Sequence, residues 1–300
     1  MSEPLLPPDL THALAALVAQ ARRALPQVPA EPDFSAMAHK WQHQALQPIH
    51  QPRPIHLSDL IGIDRQKRDI VQNTRQFLAG LPANDVLLTG ARGTGKSSIV
   101  RALLTDFADQ GLRLIEVARD DLADLPKIRQ LIADQSERFI IYCDDLAFNA
   151  EDENYRALKS VLDGAIASGD QNVLIYATSN RRHLLPEYEH ENQPILQHNP
   201  NGSVELRPQE VIDEKVSLSD RFGLWLSFHP MSQDLYLEIV AHWLGQSGLS
   251  LDDETRREAI KWVMTRSQRS GRSAAQFARH WIGLQGLAER DQQAKQDATS

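Results

Sequence analysis

The chain has 300 residues, of which 41% are hydrophobic and 24% charged. That is the usage of an ordinary globular protein; it excludes a disordered or collagen-like chain and leaves room for one large core with one or two attachments. A formal charge of -8 opposes nucleic acid and acidic membranes unless a local basic patch exists, and the pairs Arg22/Arg23, Arg181/Arg182 and Arg256/Arg257 are too short to read as one.

In chain order, apolar residues at helical spacing (Leu10, Leu14, Leu17, Val18, Ala21, Leu25) predict a helix over residues 9–25, stopped by prolines at 26, 29 and 32. Phe34, Met37, Ala38, Trp41 and Ala45 predict a second helix over 34–46. Pro48, Pro52 and Pro54 then mark a stiff linker, so residues 1–56 are expected to form an N-terminal helical extension with a Pro-rich linker. From 57 to 230 short apolar strands alternate with amphipathic helices, the pattern of a parallel α/β sheet. Strands are expected at 86–89, 112–117, 139–143, 173–177 and 225–228, and helices at 64–79, 96–109 and 155–167. The stretch 181–219 is long, polar and without assignment, as functional or mobile connections often are. Helical segments near 233–246, 253–268 and 273–288 predict a small all-helical domain over 231–290, followed by a disordered polar tail over 291–300. Cys143 is the single cysteine, no run is long enough to cross a bilayer, and the start MSEPLLPPDL lacks a basic leader, so a cytoplasmic location is expected.

The chemistry concentrates in GARGTGKSS, directly after strand 86–89 and at the start of a helix. Gly90, Gly93, Gly95, Lys96 and Ser97 fit a phosphate loop, in which glycines let backbone N–H groups turn around phosphate oxygens and the helix N-terminus favours negative charge. Ala91, Arg92, Thr94 and Ser98 complete the stretch expected to surround ATP. Lys96 then faces the β- and γ-phosphates, and Ser97 supplies a hydroxyl to Mg2+. A bare glycine turn does not explain a lysine at a helix start, where a cation is disfavoured without an anion nearby. Downstream, the apolar run FIIYCDDL ends in two carboxylates, costly to desolvate without a cation. Asp144 is therefore the expected second metal ligand and Asp145 the group that polarises the attacking water, with turn capping as the plainer alternative.

These residues resemble the AAA+ ATPases, and within them a bacterial group of unknown function, over residues 57–288. LSDLIGID, GARGTGKSS, FIIYCDDL, NVLIYATSNRRHL, LSDRFGLWLSF and SGRSAAQFARHW carry the resemblance in that order. It implies an AAA+ P-loop core with a parallel sheet flanked by helices and a helical lid. An extra strand, identified with 112–117, would separate the phosphate-loop strand from the acidic one. It also implies that Leu60, Ile61 and Ile63 lie near adenine, that Asn180 orients the lytic water, that Arg221 is an arginine finger acting on a neighbour's ATP, and that Arg272 reaches the phosphates from the lid. Two features depart from the family: the acidic pair is Asp-Asp, and ARDDLADLPKI lacks the pore signature of threading unfoldases. Arg181 and Arg182 are rival fingers.

The expected function is a Mg-ATP-driven switch or remodelling ATPase acting as a ring-like homo-oligomer on a protein client. A DNA-associated loader or adaptor, a nucleotide-gated scaffold with little hydrolysis, and a monomeric phosphotransferase are the rivals. Direct nucleic-acid binding is not supported by the charge, and no membrane role is expected.

Overall fold

In the computed structural model, residues 32–148, 153–168, 172–181, 196–197, 204–205, 218–266 and 268–297 are described. The chain divides into residues 1–35 and 36–300, and every element below belongs to the second. The helix expected over 9–25 lies outside the described residues.

The second expected helix is a β-hairpin. Strand β1 (Ala38–Gln42) pairs antiparallel with β2 (Ala45–Ile49), and His43 and Gln44 between them have φ of 52° and 57°. Two consecutive left-handed residues are what a tight two-residue hairpin requires. Met37, Ala38, Trp41 and Ala45 suit a helix by spacing, but pairing of β1 with β4 (Leu112–Val117) overrides that local preference. Trp41 is buried and its Nε1 donates to Asp124 Oδ2 at 3.0 Å. Pro48 is tolerated because β2 is the edge of the sheet, where a missing N–H breaks no ladder. The expected extension and linker thus contribute two strands to the sheet itself.

The sheet continues through β3 (Val86–Gly90), β5 (Arg138–Cys143), β6 (Val173–Ser179) and β9 (Leu224–Phe228), in the order β2-β1-β4-β5-β6-β3-β9. All neighbouring pairs except β1–β2 are parallel. The strand separating the phosphate-loop strand β3 from the acidic strand β5 is therefore β6. Strand β4 intervenes between them in sequence but lies beyond β5 in space, which corrects the expectation for 112–117. Two further short strands, β7 (Leu196–Gln197) and β8 (Val204–Glu205), pair with each other inside the stretch left unassigned.

Helices α1 (Asp64–Leu78) and α2 (Lys96–Phe107) cover the sheet with Ile70, Phe77, Ile99, Leu103 and Phe107. Asn73 and Thr74 of α1 bond the buried Tyr176 hydroxyl at 3.1 and 2.9 Å, which locks α1 to β6. Residues 119–132 form a 3-10 turn and helix α3 (Leu125–Ile132). Helix α4 (Glu153–Ser168) follows the acidic strand.

A second core belongs to α5 (Gln233–Gly245), α6 (Asp253–Met264) and α7 (Gly271–Asp297), around Tyr236, Val240, Leu244, Val263 and Phe277. Ser232 and Asp252 cap α5 and α6 by accepting from Leu235 N and Thr255 N. Helix α7 runs through Asp297, so most of the expected disordered tail is helical; RDQQAKQD contains no helix breaker and prolongs the helix into solvent. Among the described residues no helix is long and apolar enough to cross a membrane.

Candidate nucleotide site

The phosphate loop closes β3 and opens α2. Gly90 has φ 134°, and a Cβ there would lie 2.0 Å from the carbonyl oxygen of Phe228 on β9. Gly93 has φ 74°, and its Cβ would meet Ser270 Cβ at 2.5 Å. Side chains at these two positions would fill the loop's close approaches to β9 and to the lid.

Lys96 is 6% exposed, and its ammonium donates to Gly90 O and Ala91 O at 2.7 Å each and to Asn180 Oδ1 at 2.9 Å. Desolvation pulls its pKa below the usual lysine value and the nearby Asp145 and Asp144 carboxylates oppose that fall, with Arg92 adding to it. Ser97 Oγ donates to Asp144 Oδ1 at 2.9 Å. Burial pushes the Asp144 carboxyl up, but hydrogen bonds from Thr178, Tyr142 and Ser97 and the field of Arg101 outweigh it, leaving Asp144 below the ordinary carboxylate range.

Asp145 is exposed and sits at φ 53°, held there by its N–H, which donates to Thr178 Oγ1 at 2.9 Å. Asn180 Nδ2 donates to Asp145 Oδ1, and Arg92 Nη2 lies 3.6 Å from Oδ2. Lys96, Ser97, Asp144, Asp145 and Asn180 thus converge at the carboxyl ends of β3, β5 and β6, the usual ligand position of an open parallel sheet.

Other expected residues do not join them. Arg221 follows the buried Ser219 and its Nε bonds Asp163 Oδ1 of α4 in the same chain, with a quarter of the side chain exposed. Arg272 is exposed in the first turn of α7 and has no partner among the described residues. Arg181 is exposed beside Asn180, and Arg182 lies outside the described residues. Leu60 and Ile63 belong to the sheet core, Ile63 reaching towards Gly95, whereas Ile61 packs into the lid core.

Two features escaped sequence reasoning. One is the pair of buried hydroxyls on Asp144, for which a tyrosine hydroxyl in a strand whose other buried side chains are apolar was the available signal. The other is a backbone link from lid to loop, Gly271 N donating to Gly93 O at 2.9 Å, which no side-chain pattern announces. A cleft of about 380 Å³ lies between Ala91, Arg92 and Thr94 of the loop and Met231, Val263 and Arg269 on the lid side.

The strand order, the loop and the acidic strand together define an AAA+ ATPase fold. The chain belongs to the family described as Protein of unknown function (DUF815), whose model matches residues 34–285 and so takes in the hairpin β1–β2. No curated protein matches the chain at significance. Among solved structures the fold is similar to a point mutant of Thermotoga maritima RuvB, at 16% identity and a TM-score of 0.50, with 79% of this chain and 67% of that one covered. It is also similar to the Aeropyrum pernix ORC1 protein in complex with DNA, at 13% identity and a TM-score of 0.51, with 77% and 61% covered. Identity this low carries the fold alone, and the chain spans about two thirds of the length of these proteins.

Proposed function

We propose that the chain binds Mg-ATP and hydrolyses it as a cytoplasmic homo-oligomer that switches or remodels a protein partner. The observation that carries this reading is the convergence of a buried lysine ammonium, a hydroxyl–carboxylate pair and a second carboxylate with its asparagine around one glycine-lined loop. The donor set fits the ligand: Mg2+ takes few protein oxygens and completes its octahedron with phosphate and water. Ser97 and Asp144 would hold it, and bound there it would neutralise charge developing on the phosphates. Lys96 and the loop N–H groups would bind the phosphates, Asp145 and Asn180 would hold the attacking water, and Ile61 and Ile63 would border the base. Arg272 and the Gly271–Gly93 link would couple the lid to nucleotide, and Arg221 would complete a neighbour's site.

The reading is tested by mixing inactive variants. Arg221→Ala and Asp145→Asn should each bind ATP and fail to turn it over, and a mixture should recover part of the activity, because some interfaces then unite an intact Asp145 with an intact Arg221. No recovery in a mixture shown to co-assemble moves the finger to Arg181 or Arg182; an active monomer removes the shared site. A DNA-associated role draws on fold similarity to ORC1 and is opposed by the charge of -8. It would be supported by DNA-stimulated turnover that falls steeply with salt.

A further inference from the structure

Three hydroxyls donate to one oxygen of Asp144. Ser97 Oγ reaches Oδ1 at 2.9 Å, Tyr142 Oη at 2.6 Å and Thr178 Oγ1 at 2.6 Å, and among the described residues no hydrogen bond reaches Oδ2. Ser97 comes from the phosphate loop, but the other two come from the sheet. Tyr142 and Asp144 are two residues apart, so the pleat of β5 brings them to one face. Cys143 lies opposite Ala177 on β6, so the next residue along each strand sets Thr178 beside Asp144.

Both sheet residues are buried, Tyr142 at 0% and Thr178 at 1% exposure. A phenylalanine or a valine would serve the packing there, whereas a buried hydroxyl must find a partner. Each finds it on the same carboxylate oxygen. Thr178 does more: its Oγ1 also accepts from Asp145 N at 2.9 Å, and its carbonyl accepts from Leu146 N at 2.7 Å. One threonine thereby fixes the Asp144 carboxylate and the left-handed backbone of Asp145.

We propose that Tyr142 and Thr178 are positioning residues for the metal-binding carboxylate, pinning Oδ1 of Asp144 so that Oδ2 is left for the divalent cation that accompanies the nucleotide. The inference rests on the nucleotide reading above and adds to it where the cation's affinity comes from. A carboxylate free to rotate must lose that freedom on binding metal, and one held by two fixed donors has already lost it; partners of this kind tune metal affinity by position. Ser97 donates from the loop, so its bond to Asp144 depends on how the loop sits. The bonds from Tyr142 and Thr178 come from the sheet, so their geometry is set by strand register and not by the loop.

The test is ATP binding by the full chain in EDTA and across a Mg2+ series, for the parent, Tyr142→Phe, Thr178→Val and Thr178→Ser. Tyr142→Phe and Thr178→Val should keep ATP affinity in EDTA within about twofold and need about tenfold more Mg2+ for half of the metal-dependent gain, while Thr178→Ser stays with the parent. Bound Mn2+ counted by electron paramagnetic resonance should fall in step. An unchanged Mg2+ midpoint in Tyr142→Phe overturns the proposal, and so does a loss of ATP affinity equal with and without metal, which marks a structural role. Should Tyr142→Phe fail to fold, the Thr178→Val and Thr178→Ser pair decides by the same midpoint. A parent that binds no ATP in either condition fails the nucleotide reading itself, a result distinct from a parent that shows the Mg2+ gain and a variant that shares it.

Discussion

The carboxyl ends of β3, β5 and β6 and the two arginine turns at Arg221 and Arg272 differ in how fully the chain itself satisfies them. At the strand ends nearly every polar group has an internal partner: Lys96 on three oxygens, Asp144 under three hydroxyls, Asp145 between Asn180 and Arg92. Arg221 instead lies partly exposed against Asp163, and Arg272 projects from α7 without a partner among the described residues. A site pre-organised by its own sheet pays its ordering cost on folding. Arginines left at the surface acquire a role only when something else is brought to them, by lid closure or by a second subunit. The strand ends are thus ordered by the chain's own hydrogen bonds, whereas the two arginines keep exposed surface.

The largest expected effect lies at the saturated end. Asp145→Asn should retain Mg-ATP binding and lose turnover by about 10²–10⁴-fold, the usual contribution of a positioned general base. Steady-state hydrolysis beside calorimetric binding checks this, and surviving turnover means that the water is activated elsewhere.

A smaller effect concerns the sheet that carries the site. Burial pushes the Asp85 carboxyl from 3.8 up to about 6, although Ile175 N donates to it at 2.6 Å and Arg129 opposes the rise. A carboxyl with a raised folded pKa holds its proton longer in the native state than in the unfolded one. Stability should therefore fall as pH rises from about 4 to 6, by on the order of 3 kcal/mol, and the cost should remain in full above that window. Asp85→Asn should flatten the dependence of melting temperature on pH; an equal slope in parent and variant contradicts the assignment.

The smallest effect tests whether the hairpin is part of the core. Trp41→Phe keeps most of the buried ring but loses the hydrogen bond to Asp124, and should cost about 1 kcal/mol in chemical denaturation. If β1 were a mere appendage, the unfolding midpoint would not move.

Legibility in the sequence followed the range of the interaction. Buried parallel strands read as short apolar runs, so VLLTG, LRLIEV and FIIYC were placed to within a residue or so, and GARGTGKSS announced the loop between a strand and a helix. The acidic pair was legible because it ends such a run, whereas Asn180 was singled out only by the resemblance to AAA+ ATPases. Strand order was not, since which strand lies between β3 and β5 is decided by packing across the sheet, and local pattern is silent on it. The hairpin was misread because its turn uses His43 and Gln44 where a glycine or asparagine would have signalled left-handed backbone. Tyr142 and Thr178 looked like strand residues, and their meeting on Asp144 depends on a register between two strands about 35 positions apart.

The most direct test of the account is calorimetric titration of the full chain with Mg-ATP, set beside Lys96→Ala. Lys96 is the buried cation at the loop, so the parent should bind with a clear saturable heat while the variant, folded by circular dichroism, shows affinity reduced by at least about a hundredfold or no binding at all. Equal affinity in the two proteins would contradict the assignment of 90–97 as the site that holds the phosphates.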